Sequence, residues 1–551
     1  MQDTVSTFKL RVNLVQVHVV VRDNTGAPVA GLRKENFQLL DNGKPQTIVT
    51  FGIEDTQSRK AQSEAAEKTA ANLSDTQGAD SAILPDRFVA LVFDDLHLLT
   101  ADIAAVRSAA DGFIDSIDPA DRVGIFTTSG LLTQDFTSDK QLLKEKLLSL
   151  MSHSRLMSTA GACPNVSYAM ATQVEKEGGL PVPAGRNLPD VTIPSAFNIL
   201  VQETLRCSPG ITLDTAISLV AAAVSRVLNV GEAENRDTYR RLESAVRLLA
   251  GKPGERVLLL VSPGFPIARL TSELSEVVEH ANRANIVINA IDARGLYTPN
   301  LLGDIAEGGS DPPALVGSKA NYRLGGQLEQ EFVLMDFSYG TGGRFFHNSN
   351  DLVGGLKQLG SVPEVAYVLG FSPQNQKMDG HFHALKVSLI DKQKYSIQAR
   401  RGYYAPKQVD DPQQAQKQEM QDAVFSRDEI YDLPLTLQTQ YFKTGDSIAR
   451  LSVVSRLDIK AMRFRIVEGQ HFDDVDFATA IFDNDGNYVI DGGKLVKLRL
   501  ENDTFDRLSR TGLVVKSSFE LKPGKYLIRQ VVRDSEGSQM AARNGAVIIP
   551  N

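Results

Sequence analysis

Few residues of this 551-residue chain have the type and spacing to do chemistry, and most of them stand in turns. His381-Phe382-His383 would put two imidazoles on one face of a strand, a spacing that suits a metal ion. No Cys or acidic cluster stands near them in sequence, so a surface strand is the simpler reading. Asp483-x-Asp485-x-Asn487-x-Val489-x-Asp491 imitates a calcium loop, but Gly486 comes at the fourth place rather than the sixth. Lys494 stands where a bidentate Glu is needed, which leaves a hairpin turn as the expectation. There is no Gly-x-Ser-x-Gly elbow, and Gly251-Lys252-Pro253-Gly254 lacks the hydroxyl and the spacing of a phosphate loop. The two cysteines, Cys163 and Cys207, bracket a Pro- and Gly-bearing segment. Paired, they close a long loop that contributes roughly 4 kcal/mol; otherwise they are two unrelated buried thiols. One cysteine at each edge of a single irregular segment favours the disulfide, and with it an oxidising compartment. Neither is expected to act as a nucleophile.

The elements that must position these residues change character along the chain. Val15, Val17, Val19 and Val21 alternate with other residues as a half-buried strand does, and Asp41-Asn42-Gly43 is a strong hairpin signal. From Arg87 onward the strands are apolar throughout: Phe88–Phe93, ending in Asp94-Asp95, then Val123–Thr127, Val257–Val261 and Ile286–Ile291. Helical periodicity separates them, with stretches at Leu213–Leu228, Thr238–Leu249, Ser272–Ala284 and Gln327–Tyr339. That alternation predicts an α/β fold class with a mostly parallel sheet covered on both faces. Gly303–Gly326 reads as a loop. Past Leu356 the pattern returns to strands, and Val20-Val21-Arg22-Asp23-x-x-Gly26 is echoed by Val531-Val532-Arg533-Asp534-x-x-Gly537.

An N-terminal block of ~45 residues is too short for a stable sandwich, so residues 8–53 and 365–406 are expected to share one β domain. Residues 54–86 read as a linker, 87–362 as the α/β domain with a disulfide-bracketed insertion at 158–210, and 407–430 as a second linker. Residues 431–551 complete the chain as a C-terminal β-sandwich of immunoglobulin-like type. A net charge of −8 argues against nucleic-acid binding. No uninterrupted apolar run approaches the roughly 20 residues of a membrane span. Met1-Gln2-Asp3 shows no leader and has the look of a mature exported chain.

Several motifs in order carry a resemblance. Phe93-Asp94-Asp95-Leu96-His97-Leu98, Asp118-Pro119-Ala120-Asp121-Arg122-Val123, Val261-Ser262-Pro263-Gly264-Phe265, Ile291-Asp292-Ala293-Arg294-Gly295 and Thr341-Gly342-Gly343-Arg344-Phe345 together look like a divergent von Willebrand factor A-type domain. With the closing Arg400-Arg401-Gly402-Tyr403-Tyr404-Ala405-Pro406, residues 8–406 resemble a bacterial exported family carrying a "VWFA-related" domain. The resemblance implies a Rossmann-like domain inserted between β elements, with a divalent-cation site at the carboxyl edge of its sheet. Asp94 matches the first ligand, but the two Ser positions fall on Leu96 and Leu98, the Thr on Ile211, and the later Asp on Pro263. One ligand retained does not make an octahedral oxygen site, so no metal and no cofactor is expected. Thr212 is one residue from the Thr position, which leaves Asp94, Asp95, His97 and Thr212 as an unconventional ligand-binding set. Capping of the loop after the first strand is the simpler role for Asp94 and Asp95.

The reading that follows is a non-enzymatic extracytoplasmic protein, periplasmic or secreted, that binds a protein partner or serves as a scaffold. Its recognition surface is expected on the 158–210 insertion and the 303–326 loop. The alternative is cation-dependent adhesion through a remodelled site near Asp94, and a third is an enzyme whose acidic or His residues converge only in the fold.

Overall fold

The computed structural model describes residues 15–25, 27–55, 85, 87–154, 163–178, 195–265, 271–296, 313–361, 365–373, 382–390, 394–404, 412–425, 429–445, 447–537 and 539–550. His381 and residues 303–312 lie outside them.

The chain begins with strands β1 (Val15–Arg22), β2 (Phe37–Asp41), β3 (Lys44–Gln46) and β4 (Ile48–Asp55). A six-stranded sheet follows, made of β5 (Arg87–Phe93), β6 (Asp121–Thr127), β7 (Thr133–Thr137), β8 (Glu255–Ser262), β9 (Ile286–Asp292) and β10 (Phe345–Phe346). Its order is β10-β9-β8-β5-β6-β7, and only the β6–β7 pair is antiparallel. The helices α1 (Thr100–Asp115), α2 (Lys140–Leu147), α3 (Tyr168–Lys176), α4 (Ser195–Cys207), α5 (Leu213–Ala250), α6 (Thr271–Arg283), α7 (Pro313–Gly340) and α8 (Leu352–Gly360) belong to this region. One apolar layer packs α5, α6 and α7 on one face of the sheet through Leu242, Val246, Val277 and Phe337. A second layer packs α1, α2 and α8 on the other through Val106, Phe113, Leu143 and Leu356.

The strands after this region are β11 (Val365–Phe371), β12 (Phe382–Leu389), β13 (Ser396–Ala399) and β14 (Gly402–Tyr404). They pair antiparallel with the N-terminal ones in two sheets, β13-β1-β11-β4 and β14-β12-β2-β3. Val17, Val19, Leu39, Tyr367 and Leu369 fill the space between them. Helix α9 (Pro412–Phe425) leads into β15 (Ile430–Tyr431), β16 (Leu435–Lys443), β17 (Ala449–Leu457), β18 (Arg465–Val467), β19 (Gln470–Asp483) and β20 (Tyr488–Leu500). Helix α10 (Asn502–Thr511) and strands β21 (Leu513–Leu521), β22 (Gly524–Asp534) and β23 (Met540–Ile549) complete the chain. Two further antiparallel sheets result, β15-β23-β22-β19-β18 with β20 on β19, and β16-β17-β21.

The expectation of a Rossmann-like, mostly parallel α/β fold class is therefore corrected. Among the described residues, four of the five sheets are antiparallel and the fifth is mixed. The apolar-strand-and-helix alternation occupies only the middle of the chain. On either side, strands such as β2 and β21 alternate buried and more exposed positions, the pattern of sheets with one wet face, which pair antiparallel.

Glycine accounts for two further corrections. The expected break between Leu228 and Thr238 is absent, because α5 runs unbroken through Gly231, where a Cβ would lie 2.2 Å from the Tyr168 ring. The second half of the expected 303–326 loop is helical, and Gly326 admits Ala169, whose Cβ a side chain would meet at 2.4 Å. Both glycines permit close helix packing rather than marking turns. Much of the expected 407–430 linker is α9, which packs Ala423 against Val531 and Ala542. Helix α5 is also long and apolar enough to cross a membrane by length and composition; here its C-terminal half buries Tyr239, Leu242 and Leu249 over the sheet.

Candidate functional site

Parallel strands bring their carboxyl ends together at one edge, and the residues just past those ends converge there. After β5, Asp94 and Asp95 are 0% and 1% exposed, so each carboxylate needs protein partners in place of water. Asp94 Oδ1 accepts from Thr128 Oγ1 at 2.9 Å and faces His97 Nδ1 at 2.8 Å. Asp94 Oδ2 accepts from Oγ of Ser262, the last residue of β8, at 2.6 Å. Asp95 Oδ1 accepts from the Ser129 amide at 2.8 Å and from Thr128 Oγ1 at 3.1 Å. Its Oδ2 accepts from Ser129 Oγ at 2.5 Å and faces His153 Nδ1 at 2.9 Å. The His153 amide donates to the Asp95 carbonyl at 2.7 Å, which ties down the loop after α2.

His97 is the hinge between this knot and α5. Its Nε2 faces Asn235 Oδ1 at 3.1 Å, and its ring stacks on Phe265 at 5.4 Å. Both ring nitrogens meet oxygens, an environment that suits the doubly protonated imidazolium. Burial works against that charge, but Asp94, Glu234 and Asn235 outweigh it and raise the His97 pKa. After β9, Arg294 clamps Asp292 through Nε at 2.9 Å and Nη2 at 2.7 Å.

Of the four residues singled out from the sequence, Asp94, Asp95 and His97 lie in one hydrogen-bonded group and Thr212 does not. Thr212 caps the start of α5, where its Oγ1 accepts from the Thr215 amide at 3.3 Å. At 1.5 Å per residue that places it about 35 Å along the helix from Asn235, the α5 residue that does reach His97. Sequence reasoning missed Thr128, Ser129, His153, Asn235 and the role of Ser262. Thr127-Thr128-Ser129 at the end of an apolar strand was the available signal; Asn235 had none, since it falls between the two helical stretches expected at Leu213–Leu228 and Thr238–Leu249. Every carboxylate oxygen of Asp94 and Asp95 already receives a protein donor, and both His97 nitrogens face protein oxygens. Among the described residues no group of three or more His, Cys, Asp or Glu could hold a metal ion.

Around this sealed knot the loops carry apolar side chains outward. Leu99 after β5, Leu131 after β6, Met151 after α2 and Leu296 after β9 are 40% to 71% exposed. Farther off, Cys163 and Cys207 form a disulfide with Cα atoms 6.2 Å apart, linking α4 to the segment before α3. These helices pack Met170, Phe197 and Leu200 against Val220 and Val224 in the first half of α5.

No protein-family model matches the chain, and no curated protein matches it. Among solved structures it is similar to a beta-glucuronidase from glycoside hydrolase family 2, at 14% identity over 22% of this chain and 13% of that one, with a TM-score of 0.17. A glycosyl hydrolase family 2 member from Bacteroides cellulosilyticus matches at 11% identity over 35% and 21% of the two chains, with a TM-score of 0.16. A beta-glucosidase from Kluyveromyces marxianus matches at 11% over 56% and 33%, with a TM-score of 0.12. The match spans at most 21% of the two family 2 enzymes' length. Likenesses this slight carry no argument about fold or activity.

Proposed function

We propose that the chain is a non-enzymatic, extracytoplasmic binding or scaffold protein whose partner is another protein. The observation that carries this reading is the apolar rim of Leu99, Leu131, Met151 and Leu296, held on four loops around a polar knot that is satisfied from within. Exposed apolar side chains on loops fixed by a rigid scaffold are the material of protein-protein interfaces. The knot fixes three of those loops: Asp94 joins the ends of β5, β6 and β8, and Asp95 joins the β6 turn to the loop bearing His153. The loop after β9 is held by Arg294 on Asp292 and by the Leu296 amide, which donates to Asn350 Oδ1. With its donors and acceptors consumed internally, the knot offers neither a nucleophile nor a proton relay to a substrate. The Cys163–Cys207 disulfide supports an oxidising compartment outside the cytoplasm.

A photo-crosslinker at position 131, used in an exported fraction, tests the reading. The expected result is a discrete protein adduct that a Leu296→Asp change abolishes while the melting temperature stays within experimental error. An adduct unaffected by Leu296→Asp, or a turnover activity lost with His97→Gln, overturns it.

A further inference from the structure

The end of the C-terminal hairpin β22–β23 holds two carboxyl groups in unusual surroundings. Asp473 in β19 is 2% exposed and Asp534 at the end of β22 is 0% exposed. Asp473 Oδ1 is well supplied: the amides of Asp474, Ser535 and Glu536 donate to it at 2.8, 3.2 and 3.1 Å. Asp534 Oδ1 accepts from the Gln539 amide at 2.6 Å. The second oxygen of each carboxyl, Oδ2, is buried and receives no hydrogen bond, and the same holds for Gln539 Oε1. Gln539 lies directly across the hairpin from Asp534, whose amide donates to the Gln539 carbonyl at 3.1 Å. Three buried oxygens at one hairpin end therefore lack a donor, which a folded protein does not leave without cause.

The charges nearby do not supply one. Arg533 Nε is engaged with Glu419 at 3.2 Å, and Arg465 Nε with Glu536 at 3.2 Å. Two carboxyl groups buried at one hairpin end call for a positive species between them.

We propose that Asp473 Oδ2, Asp534 Oδ2 and Gln539 Oε1 are ligands of a divalent-cation site that takes Ca²⁺. An all-oxygen set without Cys or His selects a hard cation. Two carboxylates and a carboxamide on an irregular turn suit the adaptable sphere of Ca²⁺ better than the strict octahedron of Mg²⁺. The pattern also matches the chemistry of the amides, which hold one oxygen of each carboxylate and leave the other for the ion. Glu536 is exposed and Ser535 and Gly537 only half-buried, so the turn itself is the way in. By contrast, the calcium-like Asp483 loop is closed: Asp483 Oδ1 accepts from the amides of Asp485 and Asn487 at 2.9 and 2.8 Å.

Calorimetric titration of the chelator-treated full chain at pH 7.5 with Ca²⁺ tests the site. One ion is expected to bind per chain with a Kd on the order of 10⁻⁴ M, and Mg²⁺ more weakly. Asp473→Asn keeps the amide-accepting oxygen and is expected to weaken Ca²⁺ at least about tenfold, because ligand charge sets affinity. Asp534→Asn is expected to do the same, while Asp483→Asn leaves binding unchanged. Wild-type protein that shows neither heat nor a melting shift at about 10 mM Ca²⁺ overturns the proposal. So does Ca²⁺ binding that survives both substitutions; in either case the orphan oxygens share a proton.

Discussion

The two edges of the central sheet make opposite use of charge. At the carboxyl edge, Asp94 and Asp95 are surrounded by hydroxyls, an amide and imidazoles drawn largely from the same region of the chain. At the amino edge four buried cations, Arg87, Arg122, Lys252 and Arg256, stand beside the buried carboxylate of Asp121, and all but Arg87 reach beyond that region. Arg87 binds Asp121 through Nε at 3.1 Å and Nη2 at 2.5 Å and also donates to the Gly360 carbonyl. Arg122 Nε donates to the Asn484 carbonyl at 3.0 Å and lies 3.2 Å from Asp485. Lys252 Nζ donates to Asn487 Oδ1 at 2.6 Å, over the Phe88 and Phe136 rings. Arg256 donates to the Phe425 carbonyl at the end of α9. The β19–β20 hairpin tip thus plugs into the amino edge. Buried charge completed by near neighbours stiffens an edge, whereas donors left over become a dock for another part of the molecule. That difference is why the carboxyl edge turns only its apolar rim outward, and why the amino edge is already occupied.

Removing one charge at each edge separates the two cases. Arg87→Ala strands Asp121, which is 4% exposed, and is expected to destabilise the chain by about 3–5 kcal/mol in chemical denaturation. Asp94→Ala leaves Ser262 Oγ and His97 Nδ1 without their carboxylate partner and Thr128 with Asp95 alone, at a cost of about 2–4 kcal/mol. Asp94→Asn should retain about half of that, since its carbonyl still accepts.

The dock is broken by a single methyl. Gly486 has φ +69°, and a Cβ there would meet the Phe88 ring at 2.1 Å. Gly486→Ala is expected to cost about 1–2 kcal/mol and to split thermal unfolding into two transitions by calorimetry. One unsplit transition at the wild-type temperature would instead mean that the hairpin tip contributes nothing to the attachment.

The smallest effect sharpens the carboxyl edge. The His97 pKa is raised on folding, so the folded state binds its proton more tightly than the unfolded chain. Its stabilising contribution is complete below the unfolded value of about 6.5 and falls as pH rises through the higher folded value. Stability measured from pH 6 to 9 is expected to decline in wild type and to lose that component in His97→Phe, which keeps the stacking on Phe265.

The apolar strands β5, β6, β8 and β9 were legible because a buried parallel strand is apolar on both faces, a local property. Asp94, Asp95 and His97 were legible as polar residues at the end of such a strand. Thr212 was grouped with Asp94 through the resemblance's Thr position; in the fold it caps the far end of α5, and the unbroken helix carries Asn235 to the edge instead. The hairpin at Asp483–Gly486 could be read as a turn, but not its insertion beside Phe88, which joins residues far apart in the chain. The whole-molecule class was misjudged because the parallel pattern, strong as it is, describes one sheet of five.

By itself the sequence determined where the apolar strands and the hairpin turns fall, since strand periodicity and turn chemistry act over a few residues, but not how far the helices run. It also determined that the positions near Asp94 at 96, 98 and 263 hold leucine and proline, which carry no oxygen ligand in their side chains. Only the tertiary structure decided which charges are completed and which remain open. A carboxylate or guanidinium has the same identity everywhere in the chain; its burial and its donors come from segments that the fold alone brings within 3 Å.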